Sequence, residues 1–249
     1  MAANNYRTII KIFSLCCLRL IGNLLLKCSA LSKMDHSVLM PQPSLPVLNV
    51  NNLSCSRDDR LLFSGLSFTL SGGQILLLEG DNGSGKTTLL RILCGFREAD
   101  AGEINWCGEA LADSSYYADM AYVGHADGAK KELTVLENLR FALALGSAGR
   151  YGIEQALDRV ELAGFDDNSV QTLSAGQKRR LSLARLLVSH ALLWILDEPF
   201  TSLDRQGIAL TESLISAHVQ QGGMVILTSH HDLTITHLPL QRMHLSTCQ

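Results

Sequence analysis

Gly80-Asp81-Asn82-Gly83-Ser84-Gly85-Lys86-Thr87-Thr88 decides how the rest of the chain is read. It follows the apolar run Ile75-Leu76-Leu77-Leu78 and precedes Leu89-Leu90-Arg91-Ile92-Leu93, so the order is strand, glycine-rich loop, helix. The spacing G-x-x-x-x-G-K-[ST] is that of a loop that cradles phosphates. Gly80, Gly83 and Gly85 let the main chain curl with successive N–H groups turned inward. A helix starting near Lys86 adds the positive end of its dipole. In such a loop Lys86 reaches the β- and γ-phosphates and the Thr87 hydroxyl sits on Mg²⁺. Glycine-rich turns between a strand and a helix also form for packing alone, so residues further along must decide.

The chain has 249 residues, enough for one or two domains and a substantial core. With 47% apolar and 18% charged residues it reads as a folded globular protein. A net charge of −3 gives no general case for binding nucleic acid or an anionic membrane. Seven cysteines are scattered without a C-x-x-C pair, which suits a reducing, cytosolic setting. Residues 1–46 differ from the rest. Met1 to Met34 holds no acidic residue, while Arg7, Lys11, Arg19, Lys27 and Lys33 punctuate an apolar stretch. The charge-free runs are too short to span a membrane. A basic amphipathic or targeting segment, a poor signal peptide, and translated sequence upstream of a start at Met34 or Met40 compete here; the last is preferred, leaving an extension outside the fold.

Short β-type segments surround Leu48-Asn49-Val50, Leu61-Leu62-Phe63 and Leu66 to Leu70, with Ser71-Gly72-Gly73 as a turn. Further strands are expected around Ile104, at Met120 to Val123, at Leu192 to Leu196 and at Met224 to Leu227. Leu133 to Leu173 reads as mainly helical, an inserted subdomain of about residues 127–175, and a helix rich in Arg and Leu runs from about Gly176 to Ser189. Continuous apolar strands interleaved with helices indicate a parallel-rich sheet covered on both faces.

Asp197-Glu198-Pro199 follows the run Leu192-Leu193-Trp194-Ile195-Leu196. An Asp at the carboxyl end of a buried strand beside a phosphate loop is placed to hold Mg²⁺ through water, and Glu198 is placed to polarise the attacking water. Alone, an Asp-Glu pair would be a solvated turn. Leu173-Ser174-Ala175-Gly176-Gln177 leads into a helix and offers a hydroxyl, N–H groups and a dipole to a γ-phosphate, although a Ser at a helix start is commonly only a cap.

In this order, Gly80 to Thr87, Leu173 to Gln177, Leu193 to Asp197, Glu198, Ser202-Leu203-Asp204 and His230 resemble an ATP-binding cassette (ABC) ATPase, from Leu48 to about Ser246. The resemblance implies an α/β fold: a P-loop NTPase of the ABC type, with a parallel-rich core sheet, an antiparallel β subdomain and an inserted helical subdomain, over about residues 47–249. It implies ATP and Mg²⁺ as ligands and a head-to-tail sandwich of two copies, in which Ser174 and Gly176 of one contact ATP held by the other. It further implies that His230 senses the γ-phosphate and that Asp204 links the two sites. His231, His237 and His244 match no common zinc spacing.

Two positions depart from the family pattern. Gln usually stands where this chain has His125, and imidazole is a poor Mg²⁺ ligand; His125 is expected to act through water or on a partner, with turnover dependent on pH between about 6 and 7. The adenine-stacking aromatic is missing, and Arg57 stands near its place, where a planar guanidinium can stack instead. These departures, with R-D-D-R-L-L-F-S-G-L-S-F-T-L, G-H-A-D-G-A-K-K-E-L-T-V-L-E-N-L and W-I-L-D-E-P-F, resemble the ATP-binding subunits of cytochrome c maturation (Ccm) haem exporters, the CcmA family. That resemblance implies a peripheral protein on the cytoplasmic face of the bacterial inner membrane, working with an integral membrane subunit (CcmB-like) and a CcmC-like protein. A soluble cassette protein, for example one of iron–sulfur assembly, and the ATPase of another small exporter are the alternatives.

Overall fold

The structure, a computed structural model, describes residues 45–246 apart from 59, 147 and 236. The expectations for residues 1–44 lie outside the described residues.

Two sheets organise the chain. An antiparallel sheet of order β2-β1-β4-β5 is built from β1 (Val47–Arg57), β2 (Arg60–Ser71), β4 (Ala101–Trp106) and β5 (Glu109–Ala110). The short β segments read from sequence are parts of the long β1 and β2, whose pairing is interrupted by register shifts between Val50 and Ser56. A five-stranded sheet of order β6-β7-β8-β3-β9 contains β3 (Ile75–Glu79), β6 (Met120–Val123), β7 (Leu193–Leu196), β8 (Met224–Thr228) and β9 (Leu240–His244), all neighbours parallel.

Its strands are apolar without interruption because both faces are covered. Ile75, Leu77, Trp194, Leu196, Val225 and Leu227 point into one buried cluster. Leu76, Leu78, Leu193, Ile195, Met224 and Ile226 point into the other. The second cluster is closed by α1 (Lys86–Leu93) and by Leu48, Val50 and Leu70 of the antiparallel sheet. The first is closed by α3 (Val135–Leu145), α4 (Ile153–Arg159), α5 (Ala175–Val188) and α6 (Arg205–Gln220); α2 (Tyr116–Asp119) is a single turn.

The stretch Leu133 to Leu173 is less helical than its apolar spacing suggests. It consists of α3, α4 and a 3₁₀ turn at Val170–Thr172, joined by turns. Helix α6 and strand β9 are absent from the sequence reading. Because the strands are parallel, the carboxyl ends of β3, β6, β7 and β8 reach the same edge of the sheet. Gly80, Gly124, Asp197 and Ser229 follow those ends, and ligands of open α/β sheets bind at such an edge.

Candidate ATP site

At this edge lies a cavity of about 440 Å³. Asn82, Gly83, Gly85, Lys86, Thr87 and Thr88 line it from the loop after β3. Asp197, Glu198, His125, His230 and Arg57 line it from the ends of β7, β6, β8 and β1. Leu62 and Thr201 complete the wall, and neither was expected at the site from sequence. Gly80, Asp81 and Ser84 do not line it. Ser84 is buried behind the loop, and its hydroxyl is the one buried side-chain polar atom without a partner among the described residues. Gly85 precedes α1 with φ 99°, a conformation that favours glycine, and a Cβ there would press on the Phe63 ring at 3.2 Å.

The Lys86 ammonium donates to the carbonyls of Gly80 (2.6 Å) and Asp81 (3.1 Å), folding its charge back over the loop. The Thr87 hydroxyl donates to Asp197 Oδ2 at 3.0 Å, which brings two hard oxygen donors together. Thr228, at the end of β8, was not singled out by sequence. Its hydroxyl donates to Asp197 Oδ1 (2.8 Å) and accepts from the Glu198 N–H (2.9 Å). A hydroxyl closing an apolar strand at this edge is the signal that would have found it. Glu198 has φ 52°, a strained value for a non-glycine residue. His230 Nε2 lies 3.5 Å from its Oε1. Arg57 is largely exposed and paired with Asp58 at 3.3 Å.

Ser174, Gly176 and Asp204 line a different concavity, of about 390 Å³, with Gln177, Arg180 and Glu161. Ser174 caps α5 in a reciprocal capping box with Gln177. Its hydroxyl accepts from the Gln177 N–H (3.2 Å), which leaves the O–H free to donate outward. Asp204 caps α6 by accepting from Gly207 N–H at 2.7 Å. Arg180 pairs with Glu161 and, by hydrogen bonding, holds that carboxyl below the usual carboxylate range. Of the predicted site residues, one group therefore lines the P-loop cavity and the other a separate surface of the same chain.

A P-loop beside a strand-end Asp-Glu pair, on a parallel sheet flanked by an antiparallel one, defines a nucleoside triphosphatase of the cassette type. The ABC transporter family matches residues 63–201. Proteins named cytochrome c biogenesis ATP-binding export protein CcmA are 51% identical in Methylococcus capsulatus (76% of this chain, 93% of the relative) and 46% in Escherichia coli O157:H7 (80% and 97%). One from Photobacterium profundum is 46% identical over 75% of this chain and 94% of its own length. Among solved structures, an ATP-binding subunit of an ABC transporter superposes with TM-score 0.71 at 25% identity, covering 81% of this chain and 88% of its own. A dimeric bacterial ABC transporter cassette does so with TM-score 0.71 at 20% identity, covering 80% and 94%. The chain belongs to the ABC transporter ATPases and, within them, to the CcmA family. It is an ATP-binding ATPase.

Proposed function

We propose that this chain supplies ATP hydrolysis to a membrane complex of cytochrome c biogenesis, which exports haem or releases a haem-loaded chaperone. The identity of 45–51% to CcmA proteins over nearly their full length carries this reading. It favours this role over an iron–sulfur assembly factor or another small exporter. The catalytic unit is residues 47–249, with α3 and α4 in a helical subdomain spanning about residues 127–175.

In the proposed cycle, the triphosphate settles on the loop N–H groups, with Gly80, Asp81 and Ser84 contributing main chain and the loop's shape rather than lining side chains. Lys86 exchanges two carbonyls for phosphate oxygens. Thr87 and Asp197, already within hydrogen-bond distance, are the oxygen donors suited to Mg²⁺, which when bound neutralises phosphate charge. Thr228 holds the other Asp197 oxygen and fixes the direction of the donor pair. Glu198 takes the proton of the attacking water, and His230 orients its carboxylate and contacts the γ-phosphate. Arg57 stacks on the base and His125 faces the site from the end of β6.

The two separate concavities support a head-to-tail pair of copies, in which Ser174 and Gly176 of one face the ATP of the other and Asp204 links the sites. Among the described residues no helix is long and apolar enough to cross a membrane. The proposed location is the cytoplasmic face of the inner membrane, held there by a CcmB-like integral subunit with a CcmC-like protein. A groove of about 450 Å³ lined by Tyr117, Met120, Tyr122, Leu145 and Arg185 is the proposed seat of the integral subunit. Tyr117 and Leu145 are exposed there, and Arg185, whose charge is disfavoured by burial, has no acidic partner among the described residues. An apolar segment carrying a carboxylate fits this surface. The test is Glu198→Gln in the complex: hydrolysis stalls, ATP-bound dimer accumulates and holocytochrome c is lost. Hydrolysis at the parental rate removes the base assignment; normal holocytochrome c with hydrolysis stalled removes the biogenesis role.

A further inference from the structure

Arg179 lies in the second turn of α5 with a side chain only 3% exposed. A buried guanidinium normally meets a carboxylate, yet among the described residues the only one within ion-pair distance is Asp127, at 3.7 Å. Its donors go instead to main-chain carbonyls. Nε donates to Pro199 (3.0 Å), Nη1 to Gly124 (2.8 Å), and Nη2 to Asp197 (3.0 Å) and Glu198. Three of these carbonyls belong to consecutive residues of the turn after β7. Such a turn aims several oxygens at one point, and no single main-chain N–H can satisfy them together. The same turn holds Glu198 at φ 52° and is followed by Ser202 at φ 66°. Non-glycine residues stay in that region only where the surroundings impose it. The fourth carbonyl, of Gly124, directly follows β6 and immediately precedes His125.

We propose that Arg179 is a positioning residue for hydrolysis: its planar fork fixes the strained Asp197-Glu198-Pro199 main chain so that the Glu198 carboxylate faces the ATP cavity. By holding Gly124 as well, it keeps the end of β6 and His125 in register with that turn. The inference rests on Glu198 being the base. Lysine is no substitute, because three donors on one tetrahedral nitrogen cannot reach four carbonyls spread around a plane.

The experiment compares Arg179→Lys and Arg179→Gln in the full chain, each alone and combined with Glu198→Gln. It measures steady-state hydrolysis against ATP concentration, binding of a fluorescent ATP analogue, and thermal melting. The expected result is a folded Arg179→Lys protein with nucleotide Kd within about threefold of the parent and kcat lower by about tenfold or more. In the Glu198→Gln background, adding Arg179→Lys changes the residual rate by less than about twofold, since the effect passes through the missing carboxylate. Parental kcat in Arg179→Lys overturns the inference. So does an equal loss of kcat and binding, or losses that multiply in the double variant. If neither Arg179 variant folds, the residue serves the fold alone and the inference is equally overturned. A parental rate in Glu198→Gln removes the base reading and this inference with it. Parental rate in Arg179→Lys beside a stalled Glu198→Gln removes the inference only.

Discussion

His218 gives the fold a measurable sensitivity to acid. It projects from the last turn of α6, stacks on Trp194 with ring centroids 3.9 Å apart and planes 6° from parallel, and contacts the Leu192 carbonyl through Nε2 at 3.2 Å. Burial pushes its pKa from 6.5 down to about 4, the carbonyl contacts offsetting only part of the effect. The unfolded chain therefore binds a proton that the folded chain refuses in the window between about 4 and 6.5. Stability is full above 6.5, falls as the pH drops through that window and levels off below about 4. At pH 5 the loss from this residue is about 2 kcal/mol. His218→Gln keeps an amide donor for Leu192 and cannot titrate; at pH 7.5 it loses the ring stacking, about 1 kcal/mol. Urea unfolding of both proteins at pH 7.5 and pH 5 measures the difference. The variant is expected to be the less stable at pH 7.5 and the more stable at pH 5, a relative change of about 2 kcal/mol. Parallel pH dependence in the two proteins would refute the reasoning, because it would mean that the imidazole charges as readily in the fold as outside it.

Thr228→Val removes a hydroxyl that serves Asp197 and Glu198 at once and leaves a buried carboxylate oxygen and an N–H unpaired, a cost of about 1–3 kcal/mol. Urea unfolding is expected to show that loss, with hydrolysis at saturating ATP falling further than binding of a fluorescent ATP analogue; unchanged stability and kcat would contradict the assigned bonds. Arg185→Glu places a like charge against the carboxylate proposed for the membrane subunit. Affinity purification from detergent-solubilised membranes is expected to lose that subunit, and recovery equal to the parent would remove Arg185 from the interface.

Much of this site could be read before any coordinates because its chemistry sits where apolar strands stop. Ile75 to Leu78, Leu193 to Leu196 and Met224 to Leu227 are continuous runs, covered on both faces, and the polar residues after them fall on one edge. Strand β9 lacks such a run: Leu240-Gln241-Arg242-Met243-His244 is an edge strand paired with β3, and its Arg242 and His244 stay at the surface. Helix α6 hides for a different reason. Its buried face carries Gly207, Thr211 and Glu212 beside Leu214, Ile215 and Val219, which blurs the apolar period. Glu212 is tolerated there because it accepts from the Thr234 N–H at 2.8 Å.

What no local pattern could reveal is support that acts on the main chain. Arg179 sits between Lys178 and Arg180 in a run of basic residues, yet both neighbours are half-buried and it alone is fully buried. Its partners are carbonyls, which every residue has, so neither Gly124 nor Pro199 carries a side-chain mark of the contact. Thr228 differs in that its place at the end of an apolar strand marks it, although its partners, the Asp197 carboxylate and the Glu198 N–H, lie on the turn leaving the neighbouring strand β7. Side chains that meet the nucleotide are constrained by its chemistry and recur at fixed spacings. Groups that hold those side chains in place are constrained only by geometry, so they surface when the strand order 6-7-8-3-9 brings the ends of β7 and β8 together.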